Sequence, residues 1–319
     1  MAESLQKTKA GFQPVNFRGF SVFVVRDDLS VLSSCPDTKL VLSGNKARKL
    51  FHYLQQDFPN ISRVVSFGSI QSNMLYSLAI LAKIKGWQLE FYVDHIPDNL
   101  LANPRGNYAA ALALGAEVKI APLDAALSGR TDTLFIPQGG ASPEAEAGLK
   151  ILADEINAWV NDNQIENPKL MLPSGTGTTA YYVQKHLPFE VLTCACVGSR
   201  EYLKQQFLNL ENNNKIRPTI LPPISDENSH PRKFQFGKLY PEFYRIWEEL
   251  KQETEITFDL LYDPLGWMHL IAYLQSLEAN VADPVPTLIY VHQGGQSGNE
   301  TMLQRYARKY DFAAQLGHK

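Results

Sequence analysis

Short runs of branched and aromatic residues recur along the chain, separated by longer stretches that suit helices, and this alternation restricts the fold more than any other feature. Val64-Val65-Ser66-Phe67 and Leu89-Glu90-Phe91-Tyr92-Val93 are the clearest runs, and the pattern predicts further strands over 117–120, 169–172, 191–197 and 288–292. Strands alternating with helices imply parallel sheets joined by crossover helices. Most runs are apolar at successive positions, as expected of strands covered on both faces. Single cores stop growing near about 250 to 300 residues, so 319 residues suit a two-lobed α/β chain.

A helix is expected from Ser72 to about Lys85, apolar on most sides through Met74, Leu75, Leu78, Ile80, Leu81 and Ile84 and so buried between layers. Ser142-Pro143-Glu144 reads as a helix start, with a capping serine, proline in the first turn and an acid near the positive end of the dipole. That helix places Leu149, Leu152, Ile156 and Trp159 on one stripe, and 160–168 reads as the loop after it. The proline-bounded polar stretch 222–231 is another loop. No repeat of fixed period or low-complexity tract is visible.

Charged residues make up 20% of the chain and the net charge is −3, which leaves no electrostatic footprint for nucleic acid or an anionic membrane. The expected ligand is a small molecule. No apolar run reaches the roughly 18 to 20 residues that cross a bilayer, and the run from Met1 to Lys7 lacks the apolar core of a signal peptide, so a cytosolic chain is expected. Cys35, Cys194 and Cys196 are an odd count without C-x-x-C or clustered-histidine spacing, so no metal site is expected and the thiols read as reduced and structural. Within one strand, Cys194 and Cys196 would point to the same face.

Gly175-Thr176-Gly177-Thr178-Thr179-Ala180 has the G-x-G-x-x-A spacing of a dinucleotide site. The acid required at the end of the next strand is missing, because that strand ends Cys194-Ala195-Cys196-Val197-Gly198 and Glu201 follows a helix start. The same turn suits a phosphate: glycines admit an anion to backbone amides, three threonine hydroxyls can donate, and a helix N-terminus follows. No Walker lysine accompanies it. The plain alternative is a tight strand-to-helix turn without a ligand. Lys46, in Ser43-Gly44-Asn45-Lys46-Ala47-Arg48-Lys49, has its own plain alternative, a solvated helix start. A third piece, Gly68-Ser69-Ile70-Gln71-Ser72-Asn73, lies at a strand-to-helix junction. Together the three pieces suit a cofactor carrying an aldehyde, an aromatic ring and a phosphate, which describes pyridoxal 5′-phosphate.

With these residues the chain resembles the 1-aminocyclopropane-1-carboxylate deaminase and D-cysteine desulfhydrase family, pyridoxal-phosphate enzymes of the tryptophan-synthase β-subunit class, fold type II. Ser43 to Leu50 is similar to the family's G-G-N-K-x-R-K-L and Gly68 to Asn73 to its G-G-x-Q-S-N; Arg105-Gly106-Asn107, Leu114 to Val118, Ile136 to Pro143 and Val291 to Gly295 follow in the family's order. The resemblance covers most of the chain. It implies a cofactor-binding lobe of residues 1–50 and 160–319, a small lobe of 51–159, the cofactor in the cleft between them, and a homodimer.

The resemblance also implies roles. Lys46 would hold the cofactor as a Schiff base, its pKa depressed by burial or by Arg48 and Lys49. Asn73 would hydrogen-bond the ring's 3′-oxygen, and Gly175, Thr176, Gly177, Thr178 and Thr179 would bind the phosphate. Ser72 would engage the substrate carboxylate or move a proton, or else is a plain helix cap. Tyr262 would face the substrate, and Asp263 would reach the pyridine nitrogen or serve as a turn residue before a helix over 266–274. Three positions depart from the family: Met74 replaces a histidine beside the cofactor, Phe236-Gly237 stands where the ring-opening deaminases have Tyr-Gly, and Tyr262-Asp263-Pro264-Leu265-Gly266 loses a lysine. The expected activity is a deaminase or lyase acting on a small amino acid, with D-cysteine first. The alternatives are the cyclopropane deaminase itself, a family member with little turnover, and a dinucleotide-binding protein.

Overall fold

A computed structural model describes residues 9–35, 40–121, 130–211, 217–226, 228, 230–278 and 285–310. The run from Met1 to Lys7 and the side chain of Cys35 lie outside the described residues. The chain opens with strands β1 (Gly11–Phe17) and β2 (Phe20–Arg26), then the pair β3 (Val31–Cys35) and β4 (Leu40–Ser43), which runs directly into helix α1 (Gly44–Gln55). Next come β5 (Arg63–Phe67), α2 (Asn73–Lys85), β6 (Gln88–Tyr92), the short α3 (Asp98–Ala102), α4 (Gly106–Ala113), β7 (Glu117–Lys119) and β8 (Thr133–Phe135). The rest comprises α5 (Ala145–Asp162), β9 (Pro168–Ser174), α6 (Thr178–His186), β10 (Val191–Ala195), α7 (Arg200–Leu210), β11 (Thr219–Ile220), α8 (Pro241–Thr254), α9 (Asp263–Glu278), β12 (Thr287–Val291) and α10 (Asn299–Lys309).

Two principal sheets result. The larger has the order β1-β2-β12-β9-β10-β11, parallel except for the β1–β2 hairpin, and the smaller, β7-β6-β5-β8, is parallel throughout. The strands expected from the apolar runs are all present, and the fold is α/β as the alternation implies. The larger sheet is covered on one face by Phe258, Trp267 and Leu250 and on the other by Leu149, Leu152, Ile156, Tyr181 and Tyr182. Trp159, the last residue of the expected stripe, is partly buried and stacks on Phe12 at 4.3 Å. The smaller sheet packs against α1, α2 and α4 through Leu50, Leu75, Leu78 and Ala111. Burial of apolar area on both faces supplies the main stabilising term, at roughly 25 cal/mol per Å².

Helix α2 begins as expected: the Ser72 side chain accepts a hydrogen bond from the Met74 amide at 3.1 Å. Elsewhere the boundaries move. The helix after Ser142-Pro143-Glu144 starts at Ala145 without a side-chain cap, and runs through Val160 to Asp162 because Val160 still buries its side chain. The strand read over 191–197 ends at Ala195, yet Cys194 and Cys196 share a face, both buried and reduced, with sulfurs 3.9 Å apart. In 222–231 Ser225 bridges Pro231, and Asp226 accepts from the amides of Asn228 and His230. Among the described residues, no helix is long and apolar enough to cross a membrane, and no group of three or more metal-binding side chains forms.

Candidate functional site

The carboxyl ends of parallel strands are where loops and helix N-termini converge on ligands, and here those of β5, β6, β9 and β12 border a cavity of about 810 Å³. Every residue singled out for a site lines it: Lys46 from α1; Ser72 and Asn73 from the start of α2; Gly175 to Thr179 from the turn between β9 and α6; Tyr262 and Asp263 from the start of α9. Residues far apart in sequence thus share one space, and Lys46 is not a solvated helix start.

The Lys46 side chain touches the cavity while its amine sits among protein atoms, 3.1 Å from Asn45 Oδ1. Burial lowers its pKa to about 8, against an opposing pull from the nearby Asp259 carboxylate. Arg48 does not do this. Its guanidinium is fully buried in ion pairs with Asp27 at 2.9 Å and Glu155 at 2.7 Å. Lys49 is nearer: its amine donates to the Gly139 carbonyl at 3.1 Å, and burial, then Lys46, holds its pKa well below the usual lysine range.

Asn73 is oriented from two sides. Its Oδ1 accepts from Asn107 at 2.7 Å, Asn107 is in turn bonded by Ser297, and its Nδ2 lies 3.4 Å from Asp259 Oδ2. Asp259 and Ser297 were not singled out in the sequence, and Asn107 appeared there only within the Arg105-Gly106-Asn107 match, without a role. Asp259 Oδ1 accepts the Leu261 and Tyr262 amides at 2.7 Å each, and burial raises the carboxyl pKa to about 6 despite those bonds. The close approach explains Gly295 (φ +103°), where a Cβ would stand 2.4 Å from Asn73 Nδ2 and 2.6 Å from Asp259 Oδ2. One signal was present in the sequence: Asp259 lies four residues before Asp263 in an otherwise apolar run.

The turn after β9 is a cup at the N-terminus of α6. Gly177 takes the left-handed conformation (φ +74°), and Thr176 and Thr178 share a hydrogen bond of 2.9 Å. Thr179 Oγ1 is buried with no partner among the described residues. A buried hydroxyl without a partner costs about 1 to 3 kcal/mol, and an anion seated on the turn would satisfy it. The donor set of hydroxyls, amides and a helix N-terminus fits a phosphate. With the Lys46 amine and the Asn73 amide, the residues fit pyridoxal phosphate.

Asp263 is the first residue of α9, with Pro264 in the first turn. Both carboxylate oxygens are engaged, Oδ1 by the Tyr290 hydroxyl at 2.7 Å and Oδ2 by the Asp259 amide at 2.9 Å. Burial and the neighbouring Asp259 raise its pKa well above the carboxylate range. The Tyr262 ring lies 5.0 Å from that of Phe236, which lines the same cavity; burial raises the phenol pKa, so it stays protonated. Met74, expected beside the cofactor, is instead fully buried in the core that packs against the smaller sheet.

No family model matches the chain. In sequence it is similar to the rice (Oryza sativa subsp. japonica) protein described as "Putative D-cysteine desulfhydrase 2, mitochondrial", 24% identical over 200 residues, 57% of this chain and 47% of that one. The match thus spans about half the length of that relative. In structure it is similar to an ACC deaminase homologue (TM-score 0.69, 20% identical, 94% and 95% of the two chains) and to a hydrogen sulfide-producing enzyme of Fusobacterium nucleatum (TM-score 0.58, 13% identical, 90% and 96%). These neighbours share the fold over nearly all of this chain, and they agree with the resemblance drawn from the motifs.

Proposed function

We propose that the chain is a pyridoxal-phosphate-dependent lyase or deaminase of small amino acids, and that its reaction is α,β-elimination of D-cysteine or a related substrate to a keto acid, ammonia and a thiol or sulfide. One observation carries the cofactor assignment: a desolvated lysine amine, a fixed asparagine amide and a threonine turn with an unpartnered buried hydroxyl converge on one cavity. When bound, the cofactor supplies an aldehyde for covalent capture of amines and a ring that spreads the negative charge left at the α-carbon.

The chain's residues supply the rest. Lys46 would hold the cofactor through its amine, Asn73 would donate to the ring oxygen, and the turn from Gly175 to Thr179 would seat the phosphate. With the substrate in place, Lys46 Nζ would take the α-proton, and a pKa near 8 suits a base working near neutrality. Ser72 already caps α2 through its acceptor lone pair, and its hydroxyl hydrogen is left for a substrate carboxylate. Tyr262, protonated at neutral pH, would donate toward the leaving group. Asp263 would sit beside the ring nitrogen as a residue held by Tyr290.

The rice relative's name and the sulfide-producing neighbour favour the desulfhydrase reading. Cyclopropane ring opening is the second reading, favoured by the ACC deaminase homologue, but Phe236 beside Tyr262 offers no phenol for it. Assaying pyruvate and sulfide from D-cysteine beside 2-oxobutanoate from the cyclopropane acid separates the two; keto acid from neither would sink both. The lobe boundaries at 50/51 and 159/160 and the homodimer rest on the family resemblance. Cytosolic placement belongs to the same reading, while the rice relative is named as mitochondrial.

A further inference from the structure

One cation in the cavity has no part in the account above. Arg305 lies on α10, partly buried, and lines the cavity on the side of Gln71 and Gly237. Its helix is pinned to the Asp259 turn by Asn299, whose Oδ1 accepts the Leu260 amide at 2.7 Å and whose Nδ2 donates to the Phe258 carbonyl at 2.8 Å. Among the described residues the guanidinium is positioned by neutral groups only. Nη2 donates to the Gly237 carbonyl at 2.7 Å, while Nη1 faces the Met302 sulfur at 3.2 Å and Gln71 Oε1 at 3.5 Å. Burial, then the nearby Arg308, lowers its pKa against a pull from Tyr306, and no carboxylate among the described residues joins that pull.

A guanidinium offers five donors in a planar fork. Three weak or neutral contacts leave donors for a ligand, and a desolvated cation without an anion is costly. Of the acids lining the cavity, Asp259 and Asp263 are bonded to backbone amides and to Tyr290, and Asp94 is exposed without bonding Arg305. Among the described residues no acid supplies the anion, and a ligand carboxylate reaching this wall of the cavity would.

The substrate's α-carboxylate already has a place. It is bonded to the carbon that Lys46 must reach, and so falls near Ser72 and Asn73, where the start of α2 presents its positive end. Arg305 stands farther along that wall, touching the side chain of Gln71 and bridging to Gly237. A cavity of about 810 Å³ leaves space for a side chain longer than that of cysteine. Resting on the cofactor reading, we infer that Arg305 receives a second carboxylate, so that the cleft prefers dicarboxylic amino acids to neutral ones. D-Cysteine is then bound more weakly than an acidic amino acid of similar length.

Two titrations of the purified protein test this. In the first, D- and L-aspartate are compared with the near-isosteric asparagines and with alanine by the change in the cofactor's visible band. Wild type should bind one aspartate enantiomer at least about ten-fold tighter than the matching asparagine, as expected for a charge-assisted bidentate pair. Arg305→Gln should erase that ratio with alanine affinity unchanged, and Arg305→Lys should keep part of it. In the second, calorimetry with succinate and butyrate should show the dicarboxylate preferred in wild type and not in Arg305→Gln. Equal affinities in wild type overturn the inference, as does an Arg305→Gln variant that weakens alanine, asparagine and aspartate alike, which would assign Arg305 to the α-carboxylate. Absence of any visible cofactor band sinks the cofactor reading instead, and the succinate arm still decides the role of Arg305.

Discussion

Asn73 Nδ2 and Asp259 Oδ2 face each other at 3.4 Å across the cavity, and Asn107 holds the other end of the same amide at 2.7 Å. A side chain at the start of α2 is thereby aimed by two partners far apart in the sequence. An amide clamped in this way keeps one Nδ2 hydrogen for a ligand oxygen, with its orientation settled before the ligand arrives.

Asn107→Asp tests the clamp. It puts a carboxylate against Asn73 Oδ1 in place of a donor, so the amide loses its preferred orientation. Leaving that partly buried acceptor unsatisfied costs up to about 1 to 3 kcal/mol, and cofactor affinity should fall about ten-fold with a shifted visible maximum. Unchanged affinity and maximum would show that Asn73 needs no orienting partner.

Thr179→Val removes the buried Oγ1 that has no partner among the described residues. Without cofactor the variant should be as stable as wild type or slightly more so, because an unpaired polar atom is replaced by a methyl group. Its cofactor affinity should fall about ten-fold. Destabilisation of the cofactor-free protein by thermal melting would show that the hydroxyl serves the fold.

Asp259→Asn should act through charge. Asp259 holds the Lys46 pKa up, so its removal should lower the pH midpoint of cofactor loading from about 8; an upward move contradicts the pairing. A stability effect accompanies it. The Asp259 carboxyl pKa is raised from 3.8 to about 6, so the folded state binds the extra proton between those values, and this group's contribution weakens as pH rises through that window. The variant should therefore gain on wild type between about pH 4 and 7, by up to about 3 kcal/mol, measured by denaturant titration of cofactor-free protein.

Gly148→Ala tests the seam between α1 and α5, where a Cβ would stand 1.9 Å from the Arg48 carbonyl oxygen. The helices must separate, and the gain in helix propensity, about 1 kcal/mol, should be outweighed. We expect a net loss of about 1 to 3 kcal/mol and a lowered Tm. An unchanged Tm would show that the seam yields freely.

The parallel sheets were legible because apolar strand runs and glycine turns are local signals, and both reach their places with boundaries shifted by a few residues. Lys46, Asn73 and the threonine turn were legible through their motifs, which name residues without their partners. Asp259, Arg305 and the clamping role of Asn107 were not, because each acquires its meaning only from a neighbour 34 to 234 positions away in sequence. Arg48 shows the reverse. Two positions from Lys46, it looked like a tuning charge, but the helix turns it into the Asp27–Glu155 pair on the other side.

Borohydride reduction of the protein loaded with pyridoxal phosphate, followed by peptide mass mapping, tests the central assignment most directly. The account predicts a single reduced adduct on Lys46, absent from Lys46→Ala. An adduct on Lys49, the buried lysine one helical turn away, or no adduct at all, would contradict it.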